Sequence, residues 1–144
     1  MSDDAGAKMT DKRRADPASF RARALMVSLT VKDLEKSVTW YRDVVGFTVD
    51  REIVRDGKRR AVAIKAGSVR IMLNQDDGAR GWDRVKGQGV SFMFATAQSV
   101  DAIAQRIKKM GGTLQSEPAD MPWGARVFRL QDPDGFSLVI ASES

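Results

Sequence analysis

Hydrophobic and polar residues alternate in several segments of this chain and recur every three to four residues in others. In the first half, alternation predicts strands at 25–31, 47–54, 59–65 and 68–74. Between the first two strands, one face of a 3.6-residue period predicts a helix with inward residues Leu34, Val38, Tyr41 and Val45. Asp33 is placed to cap this helix, Gly46 to end it, and Asp56-Gly57 to form a hairpin turn.

The second half repeats the same order of elements about 67 residues later. It predicts strands at 90–96, near 113–117, at 125–131 and at 136–141. A helix from Ser99 to Gly111 is predicted after the first of them, with inward residues Val100, Ile103, Ile107 and Met110. Each half is therefore a β-α-β-β-β module, and the pair predicts one shared core or an enclosed cavity.

This pattern divides the chain into an N-terminal arm and one domain. The divisions are an arm at 1–23, module one at 24–74, a connecting loop at 75–89 and module two at 90–142, so that the single domain spans 24–142. The arm is polar and without period, which predicts flexibility. Asp16-Pro17 resembles a helix start, and predicts a short helical turn at 17–22 through which Phe20 could dock on the domain.

The amino-acid composition excludes several kinds of functional site but says little about the fold. The 144 residues contain no cysteine and no histidine, which excludes disulfides, thiolate metal sites and histidine catalysis. We expect a cytoplasmic protein without a membrane span, since no long apolar run occurs. The net charge of +5 is modest, and no aromatic platform accompanies the basic residues, so we expect no nucleic-acid partner.

Four short motifs together resemble the vicinal oxygen chelate superfamily. They are Asp33-Leu34, Trp40-Tyr41, Trp123-Gly124 and Asp132-Pro133-Asp134-Gly135. This superfamily includes glyoxalase I, bleomycin-resistance proteins, extradiol dioxygenases and fosfomycin-resistance enzymes. The resemblance implies an α+β fold, in which two tandem βαβββ modules form an open, curved mixed sheet, or pseudo-barrel, around a cavity. It also implies that two chains commonly assemble as a homodimer.

Enzymes of this superfamily hold a divalent metal with His, Glu or Gln on the first and last strands of each module. Carried over by spacing, these four positions fall on Met26, Met72, Ser91 and Val139. Two thioethers, a neutral hydroxyl and an apolar side chain make a poor ligand set for a hard or borderline divalent ion. We therefore expect no metal, no cofactor and no catalytic residue; Ser28 and Ser91 also lack a neighbouring base.

The strand faces that contain these four positions also predict a ligand-binding surface. Its candidate residues are Met26, Ser28, Arg70, Met72, Ser91, Met93, Trp123, Arg126 and Val139. Methionines line adaptable ligand surfaces, although here they could equally fill a collapsed barrel. Arginines at the mouth would favour an anionic ligand, although Arg126 could instead be a surface residue on an edge strand.

These residues favour a metal-independent protein that sequesters or senses a small anionic or aromatic ligand. One alternative is a glyoxalase-type lyase, isomerase or dioxygenase whose metal ligands lie elsewhere. A second is a vestigial dimeric interaction module with a filled barrel. Trp82 in the connecting loop is a candidate lid, which would flank a planar ligand together with Trp123, or else an interface residue.

Overall fold

The computed structural model describes residues 18–143, which form two four-stranded sheets and two helical segments. The first sheet contains β1 (Val27–Val31), β2 (Thr48–Arg55), β3 (Lys58–Ala66) and β4 (Val69–Gln75). The second contains β5 (Ser91–Thr96), β6 (Ser116–Asp120), β7 (Arg126–Gln131) and β8 (Ser137–Ser142). The helices are α1 (Leu34–Thr39), continued by a π-helical segment (Trp40–Val45), and α2 (Val100–Lys109).

The two sheets have the same topology, which confirms the predicted repeat. Their strand orders are β1-β4-β3-β2 and β5-β8-β7-β6. In each sheet the first and last strands of the module pair in parallel, and the other neighbours pair antiparallel. The α+β class and the open, mixed sheets are therefore confirmed.

Local chemistry fixes where both helices begin and end. The Asp33 side chain accepts a hydrogen bond from the Lys36 amide at 3.2 Å, and Ser99 accepts one from the Ala102 amide at 3.1 Å. Gly46 and Gly111 follow the helices with φ of 109° and 93°, a conformation that glycine adopts without steric cost. The predicted first helix is thus present, but its second half is π-helical, with a wider turn that the apolar spacing alone could not distinguish.

One apolar core joins the modules. The helix-facing rows of both sheets pack with the inward faces of both helices, and the core includes Leu29, Tyr41, Ile71, Leu73, Ile107, Phe128, Leu138 and Ile140. Across the module boundary the rings of Phe47 and Phe94 meet edge to face, with centroids 5.9 Å apart. The two modules therefore fold around a shared interior.

Three details differ from the sequence prediction. Met110 was predicted to face inward but is 48% exposed, because α2 ends at Lys109 and Met110 is already its C-cap. The strand predicted near 113–117 starts at Ser116, after the turn through Gly111 and Gly112. Phe20 is 92% exposed and does not dock on the domain.

The N-terminal predictions are mostly untested by the structure. Residues 18–23 contain a turn and bends and no helix. Asp16 and Pro17 lie outside the described residues, as does most of the predicted arm. Within residues 18–143, neither helix combines the length and the apolar character that crossing a bilayer demands.

Candidate functional site

Each sheet has one face packed on the helices and one face turned away from them, which we call the open face. On β1 and β4 the helix-facing rows are Leu29, Val31, Ile71 and Leu73, as the alternation predicts. Residues between them, such as Ser28 and Met72, therefore lie on the open face. The second sheet follows the same rule, with Leu138 and Ile140 in the core and Val139 on the open face.

The open face of the first sheet has a central row formed by four strands. Directly paired residues point the same way, and the pairs are Ser28 with Met72, Met72 with Ala63, and Ala63 with Arg51. Asn74 donates a 2.7 Å hydrogen bond to the Ser28 hydroxyl, which holds that hydroxyl within the sheet. Met26 lies just before β1 and is 48% exposed.

The open face of the second sheet has three rows of different chemistry. The first row is polar and contains Ser91, Ser137 and Gln131. The second contains Met93, Val139 and Arg129. The third is small and apolar and contains Ala95, Ala141 and Val127. Polar and apolar contacts are thus separated along the strand direction, in successive rows about 7 Å apart.

The four positions that match metal ligands in the superfamily do not offer a metal site. Met72 belongs to the first sheet, Met26 immediately precedes the first strand of that sheet, and Ser91 and Val139 belong to the second sheet. Val139 is only 1% exposed and packs with Ala125, Val127 and Ala141. In the described part of the chain, no group of three or more carboxylate, histidine or cysteine side chains is arranged to hold a metal ion. The residues present do not fit a divalent ion.

The two arginines predicted at the mouth are both ion-paired. The Arg70 Nε atom lies 3.1 Å from Asp50 Oδ2, and Lys65 approaches the same carboxylate at 3.8 Å, so Arg70 stays near the open face of the first sheet in an exposed ion pair. Arg126 instead lies on the helix face of β7, because it shares the parity of the core residue Phe128. It binds Asp101 of α2 through two hydrogen bonds of 2.8 and 3.0 Å.

The prediction that Arg126 faces the cavity is therefore corrected by its position. The alternation of β7 turns its side chain toward α2, where a carboxylate receives it. Hydrogen bonding to Arg126 lowers the pKa of Asp101 below its usual value. Arg126 fastens the helix to the sheet and does not project from the open face.

Trp82 and Trp123 lie far apart in the single chain. Trp82 borders a cavity of about 380 Å³ together with Ser37 and Asp134, which is next to the amino end of β8. Trp123 occupies the turn before β7, at the carboxyl end of β8, where the Arg126 amide donates to the Ser142 hydroxyl. The two tryptophans thus lie near opposite ends of the six-residue strand β8, which is about 20 Å long, so they do not flank one small ligand within one chain.

The connecting loop is fastened by a buried cluster of charges. Lys86 Nζ lies 3.1 Å from Asp76 and 3.3 Å from Asp134, and its side chain is 7% exposed. Arg84 also contacts Asp76, at 3.1 Å. The amide of Gly78 and these two cations hold the pKa of Asp76 well below its usual value. The loop is thereby fixed between the end of β4 and the turn before β8.

Arg129 and Arg51 are open-face residues that the sequence analysis missed. Arg129 pairs directly with Val139, and Arg51 lies in the row of Met72. Neither arginine forms an ion pair with another described residue. The alternation Val127-Phe128-Arg129-Leu130-Gln131 contains the signal that could have found Arg129, since two large core residues flank it.

Comparison with known proteins supplies a family and a fold. Residues 23–140 match the family model of the Glyoxalase/Bleomycin resistance protein/Dioxygenase superfamily. No curated protein matches the sequence of this chain.

Solved structures match over most of the domain at low sequence identity. TioX from Micromonospora sp. ML1 is 19% identical, with a TM-score of 0.70, covering 85% of this chain and 100% of its own. A superfamily member from Sphaerobacter thermophilus is 23% identical, with a TM-score of 0.66, covering 84% and 98%. A third, from Nocardioides, is 21% identical, with a TM-score of 0.66, covering 94% and 92%. At these sequence identities the likeness shows a shared fold and nothing more specific.

Proposed function

Because the chain belongs to the Glyoxalase/Bleomycin resistance protein/Dioxygenase superfamily, we propose that it is a small-molecule-binding protein that works without a metal ion. It sequesters or senses its ligand and does not transform it. The observation that carries this proposal is the chemistry at Met26, Met72, Ser91 and Val139, where no side chain has the imidazole or carboxylate that a divalent ion prefers.

The open faces supply the contacts that such binding needs. Met72 and Met93 lie on them, and Met26 lies beside them, with flexible and polarizable side chains that adapt to a ligand. Serine hydroxyls in neighbouring rows add hydrogen-bonding groups. A small aromatic or anionic molecule matches this combination of soft apolar surface, hydroxyls and arginine.

We further propose that the binding protein is a homodimer. In the single chain Met93 and Trp123 are each 60% exposed, and Ile53 of the edge strand β2 is 43% exposed. Exposed apolar side chains on sheet faces commonly mark a contact surface. A second copy would cover the open faces and enclose a ligand between them, and two-fold pairing is the commonest way for identical chains to assemble.

Metal analysis tests the proposal against its enzymatic alternative. The protein is dialysed separately against nickel, zinc, manganese and ferrous ions, and bound metal is measured per chain by mass spectrometry. We expect much less than one ion per chain, and no rise in melting temperature with any of the four. Stoichiometric binding of any one ion would instead favour a glyoxalase-type lyase, isomerase or dioxygenase.

A ligand screen tests the proposal against the vestigial interaction module. A panel of anionic aromatic compounds is added at millimolar concentration, and the melting temperature is recorded. Binding to the folded state alone raises the melting temperature as concentration increases. We expect several compounds to do so; a chain that dimerises but responds to none would contradict ligand binding.

A further inference from the structure

We propose that Arg129 sets the charge of the ligand, so that the second sheet binds the carboxylate, phosphate or phosphonate group of a small molecule. This inference rests on the proposed binding function and adds a chemical class and a specificity-determining residue to it. Its starting point is the row in which Met93, Val139 and Arg129 are direct neighbours. The guanidinium thus stands beside one of the positions where the superfamily places a metal ligand.

No carboxylate of the described residues neutralises Arg129. The strand residues that share its face are serines, a glutamine, alanines, valines and Met93, none of them acidic. Nearby acidic side chains point the other way, since Glu117 binds Lys108 and Asp101 binds Arg126, both at the helix face. Arg70 differs from Arg129, because the Arg70 guanidinium forms an ion pair with Asp50. Arg129 is exposed and available to an anion.

The residues near Arg129 indicate which other chemical groups the ligand carries. One row away, Ser91, Ser137 and Gln131 make no side-chain hydrogen bond to another described residue. These three also border an open cleft of about 740 Å³ beside the connecting loop, whose lining does not include Arg129 itself. Hydroxyl and amide groups there can complete the hydrogen bonding of an anionic head, while the exposed side chains of Met93 and Ala95 can contact a short apolar body.

The first sheet carries the same chemistry independently. Arg51 lies in one row with Ala63, Met72 and Ser28, and Met72 is another of the matched ligand positions. Each module therefore places a cation that is not ion-paired in the row of a residue that cannot bind metal. In both sheets an arginine that is not ion-paired shares a row with a matched ligand position, directly beside Val139 in the second sheet and two strands away from Met72 in the first.

A matched pair of probes tests the proposal. Benzoate and benzamide have nearly the same shape and differ in charge, and both are titrated into the ¹⁵N-labelled chain of 144 residues at low salt. We expect benzoate to shift the amides of Met93, Arg129 and Val139, and to bind at least about tenfold more tightly than benzamide. In Arg129→Gln this preference should disappear, and in Arg129→Lys it should persist in weaker form.

Arg106→Gln is the control variant. Arg106 lies on α2 away from the open faces and donates to the Val44 carbonyl, so its loss removes one charge without changing the site. We expect it to keep the preference for benzoate. All variants are checked for wild-type amide dispersion before titration.

The outcomes separate this inference from the function on which it rests. Equal affinity for benzoate and benzamide at the open face, or an unchanged benzoate preference in Arg129→Gln, would overturn the role of Arg129 and leave small-molecule binding in place. If neither probe shifts an open-face amide of the wild-type protein, the inference is overturned, whereas the proposed function is contradicted only if the wider ligand screen also finds no binding. A preference lost equally in Arg106→Gln would reduce the effect to net charge and overturn the inference.

Discussion

The Tyr41 hydroxyl donates a 2.7 Å hydrogen bond to Oδ2 of Asp132, a residue 91 positions later in the chain. Tyr41 lies in the first helical segment and Asp132 in the turn before β8, so this bond joins the two modules. The other oxygen of Asp132 accepts from the amides of Asp134 and Phe136, each at 2.9 Å. Both side chains are buried, which places the bond among the interactions that hold the modules in register.

Replacing Tyr41 with Phe should destabilise the protein by about 1–3 kcal/mol, because Asp132 would remain buried with one acceptor unsatisfied. Urea unfolding of the wild type and variant measures this difference. A double-mutant cycle with Asp132→Asn isolates the energy of the pair. Additive losses in that cycle would show that the two side chains do not interact energetically.

The ionisation of Tyr41 should be suppressed in the folded protein. Burial, followed by the nearby charge of Asp132, raises the pKa of Tyr41 far above its usual value of 10.0. Only the unfolded chain then loses this proton near pH 10, so stability is intact below that pH and falls as pH rises above it.

This suppression can be read directly, because the chain has one tyrosine. Absorbance of tyrosinate at about 295 nm, recorded during alkaline titration, should rise only together with unfolding seen by circular dichroism. Tyrosinate that forms with a midpoint near pH 10 in a still-folded protein would contradict the buried bond.

The ion pair between Lys86 and Asp76 should stabilise the folded protein at neutral pH and lose this effect in acid. Hydrogen bonds from Gly78 and Lys86 lower the pKa of Asp76, so the unfolded chain binds this proton more readily and stability falls as pH drops below about 4. In Lys86→Met we expect a lower urea midpoint at pH 7 and a shallower fall toward pH 3. Lys108→Met, which removes an exposed pair with Glu117, should change either quantity little.

Gly78→Ala should destabilise the connecting loop more than Gly81→Ala. Both glycines have positive φ, 77° and 96°, so each substitution strains the backbone, by about 1 kcal/mol. Of the two positions, only at Gly78 would the new Cβ also overlap the Trp82 ring. Urea midpoints compare the two variants. Equal losses would mean that Trp82 does not pack on Gly78 in solution.

Light scattering should show two chains per particle at micromolar concentration, because a second copy would cover the exposed apolar side chains of the open faces. The variant Trp82→Ala separates the two roles of the loop. Weaker ligand binding with an intact dimer would support a lid, whereas dissociation with unchanged affinity per folded subunit would place Trp82 at the interface. A wild-type protein that is only monomeric would contradict the dimer.

Periodicity predicted the order of the elements and the faces of most strands from the sequence alone. Alternation along β4 and β8 assigned Ile71 and Leu138 to the core, and Met72 and Val139 to the opposite face, because successive strand residues point to opposite sides. Capping chemistry at Asp33 and Ser99 placed the helix starts. The residue types at Met26, Met72, Ser91 and Val139 led, without any coordinates, to the prediction that these positions do not bind a divalent metal ion.

Tertiary structure alone decided which charges are neutralised and which remain available. Arg126 and Arg129 are three residues apart on one strand, yet one faces Asp101 and the other faces the open sheet. The buried ion pairs of Lys86 with Asp76 and Asp134 likewise bring together residues up to 58 positions apart in the chain. The fold also decided that Trp82 and Trp123 lie near opposite ends of β8. Such pairings depend on how strands and loops approach in space, and a local pattern contains no information about partners that distant.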